Sequence, residues 1–244
     1  MATAFRELMF EEMTMRSHSQ RTKTAYLQSM TRLCKHFKKT ADQITIPEIR
    51  AYFLSLLKEG RLKPRSINRE IVAIRFFYIN VMGLNLNQDV LPKQRVARFV
   101  PQVLSEQEVA AMINACDNLF YKALIMLTYS SGLRQSEIRN LKISDIDSKR
   151  MILHIREGKG KKDRQALLSP VALKLLRDYW RGYRLNKPVK SEYLFIGTRR
   201  KDNKIGEKMS HTAVGYIVSY AAKLAGVKKK FIHTYYVTRL QRIF

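Results

Sequence analysis

Ser130-Ser131-Gly132-Leu133-Arg134-Gln135-Ser136-Glu137-Ile138, with Gly158-Lys159-Gly160-Lys161-Lys162-Asp163-Arg164 downstream of it, decides how this chain is read. Tyr121 to Ser130 is an apolar run of helical length, and Gly132 can take the positive φ that ends a helix. A further helix is expected from near Gln135. It would place the Glu137 carboxylate one turn from Arg134, where it can hold the guanidinium. Met151-Ile152-Leu153-His154-Ile155 is short, apolar and partly β-branched, and predicts a strand. Lys159-Gly160-Lys161-Lys162 turns it and Gln165-Ala166-Leu167-Leu168 returns it, so a β-hairpin with a basic tip is expected. Helices resume over Pro170–Trp180 and His211–Leu224. Ser105 with Glu108 forms a capping box that opens this half of the chain near Leu104.

Towards the N-terminus, Ser19 to about Gly83 reads as helical. Ala25, Tyr26, Met30, Leu33 and Phe37 recur at helical spacing and make one apolar face. Thr45-Ile46-Pro47-Glu48 caps a second helix, buried through Ile49, Tyr52, Phe53, Leu56 and Leu57. A third starts at Ser66, and its polar side shows Arg65, Asn68, Arg69 and Arg75. That side suits phosphate and base-edge contacts, and equally suits an ordinary solvated face. Pro92 and Pro101 then flank Lys93, Arg95 and Arg98 with no acidic residue between them, which predicts an extended basic linker. The expected organisation is a helical domain over 1–85, a linker over 86–103 and a second domain over 104–244. The fold class is mainly α with a small β-sheet.

Forty-six Lys and Arg against twenty Asp and Glu leave a net charge of +26, with 45% hydrophobic residues. The hydrophobic fraction is ordinary for a globular protein and excludes global disorder. The charge points to a polyanionic partner bound through counterion release; the plain alternative is a basic surface that only maintains solubility. Cys34 and Cys116 belong to no Cys/His cluster, so no metal site and no cofactor are expected. Met1–Arg16 carries Glu7, Glu11 and Glu12 and is no signal peptide, and no apolar stretch approaches membrane length. A cytoplasmic protein without a membrane partner is expected.

The order of basic helical region, proline-bracketed segment, Gly-Leu-Arg-x-x-Glu-Ile box and Gly-Lys-Gly hairpin resembles the tyrosine recombinases, the phage-integrase family. The resemblance covers nearly the whole chain up to about Thr234. It implies a SAM-like core-binding domain followed by a catalytic domain that together enclose double-stranded DNA. It also implies site-specific recombination and integration by metal-free strand cleavage and rejoining, with self-association into tetramers on DNA in intact relatives. Arg134 matches the family's first catalytic arginine, with Glu137 supporting it. Lys159 matches the hairpin lysine that protonates the departing 5′ hydroxyl, and Lys161, Lys162 and Arg164 are assigned to phosphate binding. His233 matches the first residue of the family's second box.

That box reads His-x-Leu-Arg-His in the family, whereas here it is His233-Thr234-Tyr235-Tyr236-Val237. One permitted set of codons for Tyr235 to Phe244, read from the last base of the Tyr235 codon, encodes Leu-Arg-His-Ser-Phe-Ala-Thr-His-Leu, which continues the family pattern. A change of reading frame near Thr234 is therefore expected, and with it loss of the second arginine and the tyrosine nucleophile. The expectation is a recombinase inactive as written. Its rivals are a non-catalytic DNA binder occupying recombination sites and a basic nucleic-acid module with an accidental motif.

Overall fold

Capping chemistry sets where the helices of the first half begin. In the computed structural model, which describes residues 3–86, 90–97, 102–156, 162–186, 190–197, 208–210 and 212–228, Thr45 precedes helix α3 (Ile46–Glu59). The Thr45 N–H donates to Glu48 at 2.8 Å while the Glu48 N–H donates to the Thr45 hydroxyl. Lys39 also bonds Glu48, and together these contacts pull its carboxyl down to about 2. Helix α2 (Gln20–Phe37) is capped by Ser19, and α4 spans Pro64–Asn80 with proline in its first turn. An N-terminal helix, α1 (Thr3–Met15), adds to the helical stretch expected from Ser19 onward. Its signal is weak in sequence because only Met9 and Met13 are buried, while Leu8, Phe10 and Met15 stay exposed and blur the apolar stripe.

These helices enclose a core of Met9, Met13, Met30, Leu33, Ile49, Ile71, Ile74 and Phe77. The Tyr78 hydroxyl lies inside it and donates to the Ala41 carbonyl at 2.7 Å. Glu70 is buried too and is paired with Arg32.

The described residues of the segment expected as a linker pack on the first unit. Leu86 and Leu91 are buried in the first core, and Val90 accepts a hydrogen bond from Arg50 at 3.3 Å. Asn68 on α4 bonds both sides of the Gln94 backbone, accepting from its N–H at 2.7 Å and donating to its carbonyl at 2.9 Å. The described residues of 86–97 are thus part of the first compact unit, Met1–Phe99, and the second unit is Val100–Phe244. Prolines and charge end the helical periodicity, but Leu86, Leu91 and the Asn68–Gln94 bonds together seat the described residues on the first unit.

In the second unit, α5 (Glu106–Asn114) starts at the Ser105–Glu108 box, with Ser105 N–H to Glu108 at 2.7 Å. Helices α6 (Leu119–Ser130), α8 (Pro170–Tyr179) and α9 (Ala213–Leu224) pack around Leu124, Leu127, Tyr179, Phe195 and Val218. Tyr179 and Phe195 stack with ring centroids 5.4 Å apart. A π-helical turn, Trp180–Arg184, extends α8, and a Cβ at Gly182 would meet Leu119 at 2.8 Å.

The β layer is a three-stranded antiparallel sheet in the order β1 (Ile146–Asp147), β2 (Ile152–Ile155), β3 (Arg164–Leu167). Sequence periodicity cannot register a two-residue strand such as β1. In the β2–β3 hairpin Leu153 faces Ala166 and Ile155 faces Arg164. Leu153, Ile155 and Ala166 are buried, so this face packs on the core. No helix among the described residues is long and apolar enough to cross a membrane.

Candidate nucleic-acid interface

Gly132, at φ +57°, reverses the chain after α6. Leu133 then plugs into the core, 1% exposed, and Arg134 follows in extended backbone as the cap of helix α7 (Gln135–Asn140). The short turn gives Arg134 a fixed backbone and a half-open side chain, 36% exposed.

Glu137 is the centre of the cluster. Its carboxylate, 1% exposed, accepts from the Arg134 N–H at 2.8 Å and from Arg134 Nη1 at 2.7 Å. Arg164 approaches from β3, with Nη2 donating to Glu137 Oε2 at 2.8 Å and to the Gly132 carbonyl at 3.1 Å. Burial pushes the Glu137 carboxyl up, but the bonds from Arg164 and Arg134 outweigh it and hold the group below its ordinary range. The result is a carboxylate kept ionised inside the protein by two guanidiniums. With one negative charge against two positive ones, the cluster remains attractive to an anion.

Arg164, assigned from sequence to phosphate binding, is turned towards Glu137 and the Gly132 carbonyl. It shares the inward face of β3 with Ala166, since cross-strand partners point the same way and Ile155 is buried. On the other leg of the hairpin, Arg156 bonds the buried Asp145 at 2.8 Å, and Asp145 also accepts from the Lys142 N–H at 2.9 Å. Lys162 is exposed. Arg98, Lys159, Lys161 and His233 lie outside the described residues.

The first unit carries a second cationic feature. Arg65, Asn68, Arg69 and Val72 of α4, Tyr26 of α2, and Lys93, Val96 and Ala97 line a groove of about 560 Å³. The structure therefore brings together four residues that sequence had assigned to DNA: Arg65, Asn68, Arg69 and Lys93. Arg65, Arg69 and Lys93 are exposed. The Asn68 amide clamps the Gln94 backbone. Arg75 is half-buried and donates through Nε to the Leu86 carbonyl at 3.0 Å, so it too secures the chain after α4. Arg95 is exposed and does not line the groove. Tyr26, which sequence placed on the apolar face, packs against Phe76 and forms part of the groove wall. Among the described residues no three His, Cys, Asp or Glu side chains gather as metal ligands.

Residues 102–235 match the Phage integrase family, and residues 5–88 match the Phage integrase N-terminal SAM-like domain. A protein of Sinorhizobium fredii (strain NGR234) described as an integrase/recombinase, y4qK, is 36% identical over 93% of this chain and 71% of its own length. Tyrosine recombinase XerA of Pyrococcus horikoshii is 33% identical over 72% of this chain, and the match spans 59% of that protein. Among solved structures, a lambda integrase dimer bound to a core site superposes with a TM-score of 0.66 at 17% identity, covering 94% of this chain and 80% of that one. That likeness shows the fold.

Proposed function

The chain belongs to the phage integrase family, the tyrosine recombinases, and from that premise we propose that it binds the double-stranded DNA of a recombination site and holds it without cutting it. The observation that carries the reading is Arg134, fixed at the start of α7 by a buried, ionised Glu137 with its side chain still 36% exposed. An arginine so placed can offer a planar pair of donors to the non-bridging oxygens of a phosphodiester. In this reading Arg65, Arg69 and Lys93 grip the backbone elsewhere on the duplex, consistent with the charge of +26. Structures of relatives described as bound to DNA support the same partner.

The restraint on cleavage comes from residues the chain does carry. A tyrosine hydroxyl attacks a phosphate efficiently only when the phosphate is clamped and aligned. Arg134 supplies one side of the clamp, Lys159 the proton for the departing hydroxyl, and His233 a further hydrogen bond. The position of the family's second arginine is held by Tyr236, which cannot neutralise a developing charge.

A duplex carrying a nick beside the cleavage position tests both halves. Binding at low salt with no covalent protein–DNA species on a denaturing gel is the expected result. Failure to bind any duplex at low salt overturns the partner. A covalent species that vanishes in Tyr235→Phe or Tyr236→Phe overturns the restraint.

A further inference from the structure

We infer that Arg164 is a positioning residue, which acts on the bound phosphate through Glu137 and Arg134 and does not itself touch DNA. The inference rests on the reading of Arg134 as a phosphate ligand and assigns to the hairpin a part in setting that ligand.

The donors of the two arginines are used differently. Arg164 Nη2 is engaged twice, by Glu137 Oε2 at 2.8 Å and by the Gly132 carbonyl at 3.1 Å, and its Nε faces Glu137 Oε1 at 3.5 Å. Its side chain is 24% exposed. Arg134 gives Glu137 only Nη1 and its backbone N–H, so the Nε and Nη2 edge makes no hydrogen bond among the described residues. A guanidinium has one edge for a bidentate partner on each side, and Arg164 has committed its edge inward while Arg134 has kept one outward.

The points Arg164 holds are informative. Gly132 is where the chain reverses at φ +57°, two residues before Arg134, and Glu137 is the group that fixes the Arg134 side chain. Arg164 therefore restrains both the backbone approach and the rotamer of Arg134 from one place. It is also the first residue of β3, paired with Ile155 at the end of β2. The opposite leg is tied by Arg156 to the buried Asp145 at 2.8 Å. Both legs flanking residues 157–161 are anchored to buried carboxylates, and one of those carboxylates is the anchor of Arg134. The described start of β3 and the arginine that binds phosphate thus take their position from the same group.

A double-mutant cycle on DNA affinity in the full chain separates a positioning role from a direct contact. In the parent, Arg134→Ala should weaken binding about tenfold, as loss of a charge-assisted phosphate bond does. In an Arg164→Gln background the same change should cost less than about twofold, because Arg134 is no longer held. With Arg134 already replaced, Arg164→Gln should leave the salt dependence of binding unchanged, whereas a direct phosphate contact would lower the slope by about one. Additive penalties, or a slope that falls, overturn the inference. Arg164→Lys, which keeps the charge but loses the fork, should recover only part of the coupling.

A second measurement stands without DNA and remains informative even if the protein binds none. The Arg134 Nε–H resonance in the free protein, assigned with Arg134→Lys, should broaden or exchange with water at least about fivefold faster in Arg164→Gln, while resonances of the first unit stay in place. An unchanged Arg134 signal in a variant that remains folded refutes the positioning role whatever the DNA result. If Arg164→Gln fails to fold, the same comparison in Arg164→Lys decides.

Discussion

Replacing Glu137 by Gln is the most direct probe of the second unit. The carboxylate is 1% exposed and meets two guanidiniums at 2.7 and 2.8 Å. An amide has nearly the same shape but no charge, and its NH2 group must face one of the arginines. Breaking a buried pair by removing one partner costs about 3–5 kcal/mol. Arg134 and Arg164 are 36% and 24% exposed and regain some hydration, so a loss of about 2–3 kcal/mol is expected. At about 3 °C per kcal/mol for a domain of this size, the melting midpoint should fall by about 6–9 °C. The pH dependence gives an independent sign. The folded-state carboxyl of Glu137 lies below its reference value of 4.5, so its contribution is fully present above that value and is lost as the pH falls through the lower folded value. Parent and variant should therefore converge in stability on acidification. Calorimetry across pH 3 to 7 checks both points. A variant within about 1 °C of the parent at neutral pH, or a gap that persists unchanged in acid, would refute the reasoning about this cluster.

The other expectations concern the first unit and the partner. Arg69→Ala and Lys93→Ala should each weaken duplex binding at all sequences and each reduce the log–log salt slope by about one, measured by fluorescence anisotropy at several salt concentrations. Unchanged slopes in both would return the groove to a solvated surface. Asn68→Ala should cost about 1–2 kcal/mol by releasing the Gln94 backbone, and the amide of Gln94 should lose its protection from hydrogen exchange. Retained protection would show that Leu86 and Leu91 suffice to hold the segment.

Much of the architecture was legible because it rests on local rules. The boxes at Thr45–Glu48 and Ser105–Glu108 name their partners within a turn, and the glycine at 132 marks its own φ. Arg134 with Glu137 was legible for the same reason, since one helical turn joins them. What escaped depends on tertiary placement. Arg164 reads as one more basic residue near a basic turn until the β2–β3 register points it inward with Ala166. Asn68 reads as a base-contacting amide until the chain folds back and presents Gln94 to it. A helix such as α1, with apolar residues on both sides, gives no stripe to find.

The sharing of Glu137 between two arginines also shapes how such a gene can drift. Arg134 and Arg164 lie on different elements, yet each owes its conformation to the same side chain. A substitution at 137 thus alters three positions at once, leaving two cations facing each other. A substitution at 164 leaves a buried carboxylate with a single partner. Viable change at this cluster is expected to be concerted, so that the three residues behave in inheritance as one character.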